Sequence, residues 1–423
     1  MKKIYYQCRL TQESPLRIGS GFGSATDSDV MKDSRGLPFI PGTSLAGVIR
    51  NQLPPDRRDA VFGSIKPVIR DSLVMFSDAV LDAGAKFRIS QRDGVGLSDN
   101  GTAIKGAKYD FEVVECESPY TAVIEVADTA ADDDVAILES VFQKITAEKL
   151  SLGARTTRGY GLVSAEFRKK EFSMEGELEA WLVFDPFVSN AFPEDGKLEP
   201  ARPADKADAA ELCIEIGLQM EGSFTVRVNT TVLPKQDEKV APDSSPLTAM
   251  AGRPTIPGTA WAGSFRHHMR HLAVSIGRSD LLDDIDALFG KVRNGKAKSK
   301  IRFSEAVIKG ARFYTTTRTA VDRFTAAPRN QALFSEQVAQ GGTAQLVIHL
   351  PGDTKPELLQ LLAAALNDLH LRLLTVGGES GVGRGRCEIT GLSVNGRDST
   401  EKVHALQTDY LLPKGGDEDA SLD

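Results

Sequence analysis

The chain has 423 residues, the length of two or three domains, and it is 41% apolar and 26% charged, as is typical of soluble globular proteins. Its net charge of −7 excludes the strongly basic surface of a dedicated DNA-binding protein but leaves room for a local basic stripe that binds RNA. The sequence has no apolar run long enough to span a membrane, and its four cysteines are scattered, so it predicts a cytoplasmic protein with no membrane partner.

The first half of the chain alternates strand and helix signals. It predicts strands at residues 4–10, 73–81, 109–114 and 162–167, a helix at 43–53 and a long polar loop at 87–106. A second helix is expected to begin at Asp132, because three consecutive aspartates suit the positive end of a helix. An apolar helical stripe follows it: Leu138, Val141, Phe142 and Ile145. The order β-α-β-β-α-β predicts an α+β, ferredoxin-like (RRM-like) module.

The same order recurs in the second half. It predicts strands at residues 212–220, 301–307, 344–350 and 387–392, helices at 259–276 and from about 355, and a polar loop at 310–335. Glycine-rich turns at 153–161 and 377–385 precede the last strand of each half. Pro-Gly-Thr opens each first helix, where we expect Thr43 and Thr259 to be N-caps.

The two halves are copies of one module. Residues 27–50 align with residues 243–266 without a gap, and 11 of the 24 positions are identical, whereas chance would give roughly one or two matches. A repeat that occurs twice indicates domain duplication. We therefore expect a first module at 1–172, a linker or inserted arm at 173–210, a second module at 211–400 and an acidic tail at 401–423.

One aspartate in each copy lies 14 residues before the Pro-Gly-Thr motif: Asp27 and Asp243. Asp27 follows a glycine-rich loop whose amides can approach a phosphate closely. Its carboxylate could hold a partly hydrated Mg2+ ion, or orient a ribose 2′-hydroxyl for in-line attack. The alternative is an aspartate that stabilises its own turn. Asp29 and Asp33 are the nearest rivals for a catalytic role.

Ten basic residues are candidates for contact with RNA phosphates. The first helices carry Arg50 and Arg266, the glycine turns carry Arg155, Arg158, Arg384 and Arg386, and the long polar loops carry Arg92, Lys105, Arg318 and Arg323. In the second copy the loop arginines alternate with aromatic residues, a pattern that suits phosphate contact combined with base stacking. The alternatives are a solvated helix face and an ordinary surface loop. The turns follow a helix and open a strand, which argues against a dinucleotide-binding fingerprint.

The segment Pro38-Phe-Ile-Pro-Gly-Thr-Ser-Leu-Ala-Gly-Val-Ile-Arg50 resembles the signature of the RAMP superfamily, as do the Phe-Gly, Phe-Ser-Asp-Ala and glycine-turn motifs that follow it. The resemblance covers both copies and is strongest to the repeated backbone subunits of the Csm and Cmr complexes. Such subunits belong to type III CRISPR effectors, and fused ones resemble those of type III-D. The sequence departs from the family pattern at two places. Ala46 and Ala262 stand where the family often has lysine, and the second copy has Thr248-Ala249 where a basic-Asp pair is expected.

The resemblance implies a metal-dependent endoribonuclease that acts inside a guide-RNA complex. Each module would bind guide RNA along its palm, and a thumb-like hairpin insertion would kink the guide–target duplex. Asp27 and Asp243 would be the catalytic and metal-binding residues, and each would cut target RNA beside a kink. The implied partners are guide RNA, target RNA and other CRISPR effector subunits. The alternative is a non-catalytic scaffold of the same complex that only binds guide RNA.

Overall fold

The computed structural model describes residues 2–21, 23, 26–66, 69–98, 102–188, 190–201, 211–228, 242–291 and 297–412. The chain divides into two compact units. Unit 1 comprises Met1–Thr156 and Tyr160–Ala204, and unit 2 comprises Thr157–Gly159 and Asp205–Asp423. The division after residue 204 falls inside the segment expected to be a linker or arm. None of the helices in the described ranges is both long and apolar enough to cross a membrane.

Unit 1 is a mixed α/β structure built around one antiparallel sheet. Its strands are β1 (Lys2–Gln12), β2 (Val74–Phe76), β3 (Val80–Leu81), β4 (Phe87–Leu97), β5 (Ala103–Cys116), β6 (Tyr120–Val126), β7 (Leu150–Ser151) and β8 (Leu162–Ser173), and its helices are α1 (Gly42–Gln52), α2 (Arg58–Phe62), α3 (Asp132–Glu148) and α4 (Leu178–Leu182). The sheet order is β2-β6-β1-β8-β7, with β3 paired to β6, and β4 and β5 form a separate hairpin. The stripe predicted on α3 is confirmed, because its four residues are the buried ones of that helix.

Unit 2 repeats this arrangement. Its strands are β9 (Glu211–Glu221), β10 (Ser223–Phe224), β11 (Arg227–Val228), β12 (Ser245–Pro246), β13 (Thr255–Ile256), β14 (Arg302–Phe303), β15 (Ala306–Val307), β16 (Arg312–Val321), β17 (Pro328–Gln340), β18 (Thr343–Pro351), β19 (Arg386–Val394) and β20 (Arg397–Asp398), and its helices are α5 (Gly258–Ser275), α6 (Leu282–Phe289), α7 (Pro356–His370) and α8 (Thr400–His404). The main sheet has the order β14-β18-β9-β19-β20, and β16 and β17 form the counterpart of the β4–β5 hairpin.

Three element predictions were wrong. The polar segments 87–106 and 310–335 are not loops but form much of the β4–β5 and β16–β17 hairpins, at the places where the family resemblance implies thumb-like hairpins. Residues 109–114 belong to the first hairpin, and the strand that pairs with β1 on the side away from β8 is β6. Both segments alternate apolar and polar residues, so their sequences do not distinguish a hairpin strand from a sheet strand. Threonine does not cap the first helices either: the N-caps are Pro41 and Pro257, without side-chain cap bonds.

Two segments outside the expected modules pack against the units. In the predicted arm, Trp181 donates a hydrogen bond from Nε1 to the Tyr5 hydroxyl at 3.0 Å, and Phe192 is buried in a small cluster with Tyr5. In the predicted acidic tail, Val403 and Tyr410 are buried in the core of unit 2. The folded part of unit 2 therefore extends beyond residue 400. Residues 202–210 of the predicted arm and 413–423 of the predicted tail lie outside the described residues.

Candidate functional site

Asp27 is held where its loop meets the β4–β5 hairpin. The Asp27 amide donates to Oδ1 of Asp110 at 2.8 Å, and the Asp110 amide donates to Oδ2 of Asp27 at 3.0 Å. Two residues along β5, the Glu112 amide donates to the Ser28 carbonyl at 3.1 Å. The loop is therefore fixed to a strand by backbone groups and by Oδ2 of Asp27, and Asp27 nevertheless remains exposed to solvent. An exposed carboxylate on a fixed loop can reach a bound substrate.

Asp243 has the same place in unit 2. Its amide donates to the Ser335 carbonyl at 2.7 Å, and the Ser335 amide donates to Oδ2 of Asp243 at 2.8 Å. The Gln337 amide donates to the Ser244 carbonyl at 2.9 Å, as Glu112 does to Ser28. The two aspartates thus share one register relative to their hairpins. The sequence alignment already paired them, and the structure adds that each is bonded to the same position of a hairpin strand.

The two rival aspartates support the loop itself. Oδ1 of Asp29 accepts hydrogen bonds from the Thr26 amide at 2.9 Å and the Thr26 hydroxyl at 2.8 Å. Oδ1 of Asp33 accepts from the amides of Arg35 and Leu37, at 2.8 and 2.9 Å. The Leu37 amide, followed by the Arg35 side chain, holds the pKa of Asp33 below its usual range. These contacts are those of turn-stabilising carboxylates, and they leave Asp27 as the candidate best placed to meet RNA.

The carboxylates that could bind a metal ion differ between the two copies. In unit 1 the Asp110 carboxylate joins Asp27, and its Oδ2 accepts from Gln91 Nε2 at 2.5 Å. In unit 2 the matching residue is Ser335, so Asp243 lacks this second carboxylate. Among the described residues there is no group of three His, Cys, Asp or Glu side chains that could hold a metal ion. One or two carboxylates fit a Mg2+ ion that keeps most of its waters and also binds substrate phosphate.

Asp110 is the residue of this site that the sequence analysis missed. Its only sequence signal is the alternation of residues 109–112, in which Tyr109 and Phe111 lie on one face of β5 and Asp110 and Glu112 on the other. Alternation cannot reveal that Asp110 faces a loop more than 80 residues earlier in the chain. That contact becomes visible only once the hairpin is known.

The first-helix arginines form surface ion pairs. An Nη2 atom of Arg50 lies 2.6 Å from Asp59, and an Nη2 atom of Arg266 lies 2.8 Å from Asp286. Both arginine side chains are a little more than one third exposed. Exposed pairs of this kind contribute little to stability, so an RNA phosphate can compete for the guanidinium group. The contact of Arg50 and Arg266 with RNA therefore stays a prediction.

Burial corrects the prediction for two arginines. The Arg92 side chain is 2% exposed and pairs with Glu115 at 3.0 Å, and Arg384 is 4% exposed and pairs with Glu336 at 2.6 Å. Neither guanidinium group reaches the surface, so neither can meet an RNA phosphate in this structure. The sequence rule that places basic residues of glycine turns and hairpins on the surface fails here because each has a buried carboxylate partner.

Three of the remaining arginines are also engaged by protein groups. Arg155 lies over the rings of Tyr109 and Phe111, with centroid distances of 4.7 and 4.6 Å. Arg318 pairs with Glu336 at 2.7 Å. Arg158 belongs to unit 2, where it donates to the Phe289 carbonyl at 2.7 Å and to Ser299 Oγ at 3.0 Å. Their side chains are only partly exposed, so these interactions must bend or break before the groups bind RNA.

The exposed candidates are Lys105, Arg323 and Arg386. Lys105 lies on β5 of the first hairpin, and Arg323 lies between the two strands of the second hairpin. Phe324, next to Arg323, is 89% exposed, and the Arg323 guanidinium lies 5.6 Å from its ring centroid. An exposed aromatic ring beside a cation is a suitable platform for base stacking and phosphate contact. Two of the three exposed candidates thus lie on the hairpins.

Comparison with known proteins gives a family match over both copies. The family model for RAMPs, described as the RAMP superfamily, matches residues 9–164 and 239–388, more than half of the chain. No curated protein matches the chain. Among solved structures, a subunit of a type III-B Cmr-beta complex in the apo state is 15% identical, with a TM-score of 0.33 over 38% of this chain and 96% of that one. A subunit of Cmr-beta bound to cognate target RNA is 17% identical, with a TM-score of 0.34 over 41% of this chain and 61% of that one. Likeness at this level carries no conclusion about function.

Proposed function

Because the chain belongs to the RAMP superfamily, we propose that it is a two-module backbone subunit of a type III CRISPR ribonucleoprotein that binds guide RNA and cuts complementary target RNA. The observation that carries this proposal is the pair of exposed aspartates, Asp27 and Asp243, bonded to the same position of a hairpin strand in each unit. A duplicated site of this kind suits a substrate that presents repeated, equivalent bonds, as an RNA strand does.

Each unit is proposed to be a ferredoxin-like module with a thumb-like hairpin. The strand order supports this, because β1 lies between β6 and β8, and β6 in turn pairs with β2. That is the arrangement of a split β-α-β-β-α-β unit, and unit 2 repeats it with β9 between β18 and β19. The β4–β5 hairpin is inserted before β6, and the β16–β17 hairpin is inserted before β18. These hairpins would be the thumbs. Sheets of this type commonly serve as platforms for RNA.

Contact with RNA is assigned mainly to the hairpins and the first helices. Lys105, Arg323 and Arg386 are exposed, and Arg50 and Arg266 are held only by surface ion pairs. Phosphate contacts of this kind position a nucleic acid without reading its sequence. That suits a subunit for which base pairing with a guide supplies the specificity.

The chemistry proposed for Asp27 and Asp243 is positioning and proton transfer. A carboxylate at hydrogen-bond distance from a ribose 2′-hydroxyl can accept its proton as the oxygen attacks the adjacent phosphorus, while the bond from phosphorus to the 5′-oxygen breaks and that oxygen leaves with a proton from water. Kinking of the strand would bring that oxygen in line with the leaving group, and such alignment supplies much of the rate. A divalent cation, Mg2+ by its preference for oxygen ligands, would stabilise negative charge on the phosphate. Asp27, with Asp110, and Asp243 are the residues that would hold it.

The partners proposed are guide RNA, target RNA and other effector subunits in the cytoplasm. A second candidate function is a scaffold that binds guide RNA without cutting. The replacement of Asp110 by Ser335 favours this for unit 2, because Asp243 then has one neighbouring carboxylate fewer than Asp27.

The double variant Asp27→Ala/Asp243→Ala separates cutting from scaffolding. In the assembled complex we expect it to retain guide RNA and to bind target RNA as the wild type does, while cleavage by this subunit falls by about 10²- to 10⁴-fold, the usual contribution of a general base. The matched control is Asp56→Ala/Asp353→Ala, which removes two exposed aspartates elsewhere on the units. Unchanged cleavage by the first variant would support the scaffold function.

A further inference from the structure

The two glycine turns have the same backbone. Gly153, Gly159 and Gly161 have positive φ angles of 79°, 81° and 76°, and Gly377, Gly383 and Gly385 have angles of 98°, 85° and 77°. A non-glycine residue with φ of 62° stands at the same place in each turn: Arg155 and Glu379. Each turn also contains one short 3-10 helix, Thr156–Arg158 and Ser380–Val382. Position 158 therefore corresponds to position 382.

The tip of the first turn, Thr157–Gly159, is packed within unit 2. A Cβ atom at Gly159 would lie 2.5 Å from the Glu305 amide nitrogen, and one at Gly258 would lie 2.4 Å from the Arg158 carbonyl oxygen. Only glycine fits such close backbone contact. The Arg158 guanidinium donates to the Phe289 and Ile301 carbonyls and to Ser299 Oγ, at 2.7, 3.4 and 3.0 Å.

These groups of unit 2 form a receptor for a glycine turn, defined by Gly258, Phe289, Ser299, Ile301 and Phe303. Ser299 shapes it by donating from Oγ to the Ile301 carbonyl at 2.7 Å and the Leu288 carbonyl at 3.4 Å. A Cβ atom at Gly258 would also lie 2.4 Å from the Phe303 carbonyl oxygen, so the helix start is pressed against the strand end.

Unit 1 contains the same receptor, built from Gly42, Phe62, Ser72, Val74 and Phe76. Ser72 Oγ donates to the Val74 carbonyl at 2.7 Å and to the Val61 carbonyl at 3.5 Å. A Cβ atom at Gly42 would lie 2.5 Å from the Phe76 carbonyl oxygen. The receptor of unit 1 thus repeats the backbone and the serine of the receptor of unit 2. Ile65 and Ile69, which lie between Phe62 and Ser72 in the chain, are 84% and 79% exposed.

The tip of the second turn is open. Cβ atoms at Gly381 and Gly383 would meet nothing within 4 Å among the described residues, and Val382 is 62% exposed. Gly383 nevertheless keeps the backbone conformation of Gly159. A conformation that close packing requires at Gly159 is therefore maintained at Gly383 without such packing.

We propose that the receptor of unit 1 is a docking site for the glycine turn of a separate RAMP-type subunit that carries arginine at the position of Arg158. The arginine would donate to the Phe62 and Val74 carbonyls and to Ser72 Oγ, as Arg158 does in unit 2. A second copy of this chain is a poor occupant, because Val382 cannot donate a hydrogen bond and would cover the Phe62 carbonyl without offering it a donor. Unsatisfied polar groups of this kind discriminate against wrong partners.

The inference uses the proposed function only to name the partner, since it rests on packing and not on RNA cleavage. The interface it defines is of the head-to-tail kind, in which a turn on one subunit enters a receptor on the next. In this proposal the tip of a glycine turn binds a neighbouring subunit, and residues outside the tip contact RNA.

The test measures self-association of this chain after arginine is introduced at position 382. Sedimentation velocity is measured on the RNA-free full-length chain as wild type, Val382→Arg and Val382→Glu. We expect Val382→Arg to lower the self-dissociation constant at least about tenfold relative to the other two, because hydrogen bonds from a charged donor are worth that much. Val382 is exposed, so neither substitution threatens folding.

A second substitution locates the contact. Ser72→Lys places a cation in the receptor of unit 1, and we expect Val382→Arg/Ser72→Lys to return to the association of the wild type. The proposal is overturned if Val382→Arg associates no more than Val382→Glu, or if Ser72→Lys leaves the new association unchanged. It is also overturned if the wild type already associates as strongly as Val382→Arg. Loss of target cleavage in the Asp27→Ala/Asp243→Ala variant bears on the proposed function alone.

Discussion

The junction between the glycine turn and the hairpin is filled by aromatic side chains in unit 1 and by charged side chains in unit 2. In unit 1, Phe111 is buried against Tyr160, and Arg155 lies over the Phe111 ring. In unit 2 the matching positions hold Glu336, Arg384 and Glu379: Arg384 pairs with both carboxylates, at 2.6 and 2.9 Å. An aromatic cluster and a buried ionic cluster therefore fill the same place between the same backbone elements.

The difference shows which features of the module are fixed and which can change. The glycine φ angles are positive at the same three positions, and in both units a hairpin amide donates to Oδ2 of the aspartate. The side chains between them differ as a set, because a buried glutamate is tolerated only when arginines surround it. Arg227 and Arg318 also contact Glu336, and Arg227 contacts Glu379. Burial, followed by the Glu379 charge, raises the pKa of Glu336.

The largest expected effect is that of Phe111→Ala. Phe111 is 2% exposed, and truncation of a buried phenylalanine typically costs about 3–5 kcal/mol through lost burial and a residual cavity. We expect unit 1 to lose stability by that order and unit 2 to keep its own. Hydrogen exchange in increasing urea measures this, with β1 reporting unit 1 and β9 reporting unit 2. Val95→Ala, on the same hairpin but 50% exposed, is the control; equal losses for both variants would contradict a packed cluster at Phe111.

Glu336→Gln should have a smaller effect, confined to unit 2. The amide keeps the shape of the side chain but removes the charge that Arg384 and Arg318 share, and the hydrogen bonds it weakens are worth roughly 1–3 kcal/mol. It also relieves the burial and the Glu379 repulsion that raise the Glu336 pKa, so the net loss of stability is smaller than that figure. The same exchange measurement should show destabilisation in β9 and β17 and none in β1. Glu401→Gln, an exposed glutamate of unit 2, is the control. A unit 2 as stable as the wild type would mean that the ionic cluster contributes nothing to the junction.

The smallest expected effect concerns RNA. Arg323→Glu alters an exposed arginine beside Phe324 and should leave the stability of both units within about 0.5 kcal/mol, as for most surface substitutions. It should weaken binding of guide RNA and lower the salt slope of binding by about one unit. Arg397→Glu, an exposed arginine on β20, makes the same change of charge away from the hairpin. If both variants bind RNA equally, the hairpin has no special part in contacting it.

Much of the module could be predicted from the sequence because its signals are local. The buried stripe on α3 follows from helical spacing. The equivalence of Asp27 and Asp243 follows from a gapless alignment of the two copies. The sheet and hairpin strands of unit 1 could not be told apart, since both alternate apolar and polar residues. Only pairing across the chain decides which of them lies next to β1.

The candidate site was predicted in part for the same reason. Asp27 and Asp243 stand out by repetition, but Asp110 reaches Asp27 across a hairpin whose register no local pattern reveals. The arginines were misjudged where a distant carboxylate buries them, as Glu115 does for Arg92 and Glu336 for Arg384. Charge alone predicts exposure, and exposure is lost when a partner is supplied from another strand.

The central claim is that the two aspartates act at equivalent sites on different bonds of one RNA strand. The most direct measurement is the cut pattern of an end-labelled target RNA in the assembled complex, compared for wild type, Asp27→Ala and Asp243→Ala. We predict that each single variant loses one cut, that the two lost cuts differ, and that guide and target binding are unchanged. If the two variants lose the same cut, or if neither changes the pattern, the two sites do not act in this way and the account is wrong.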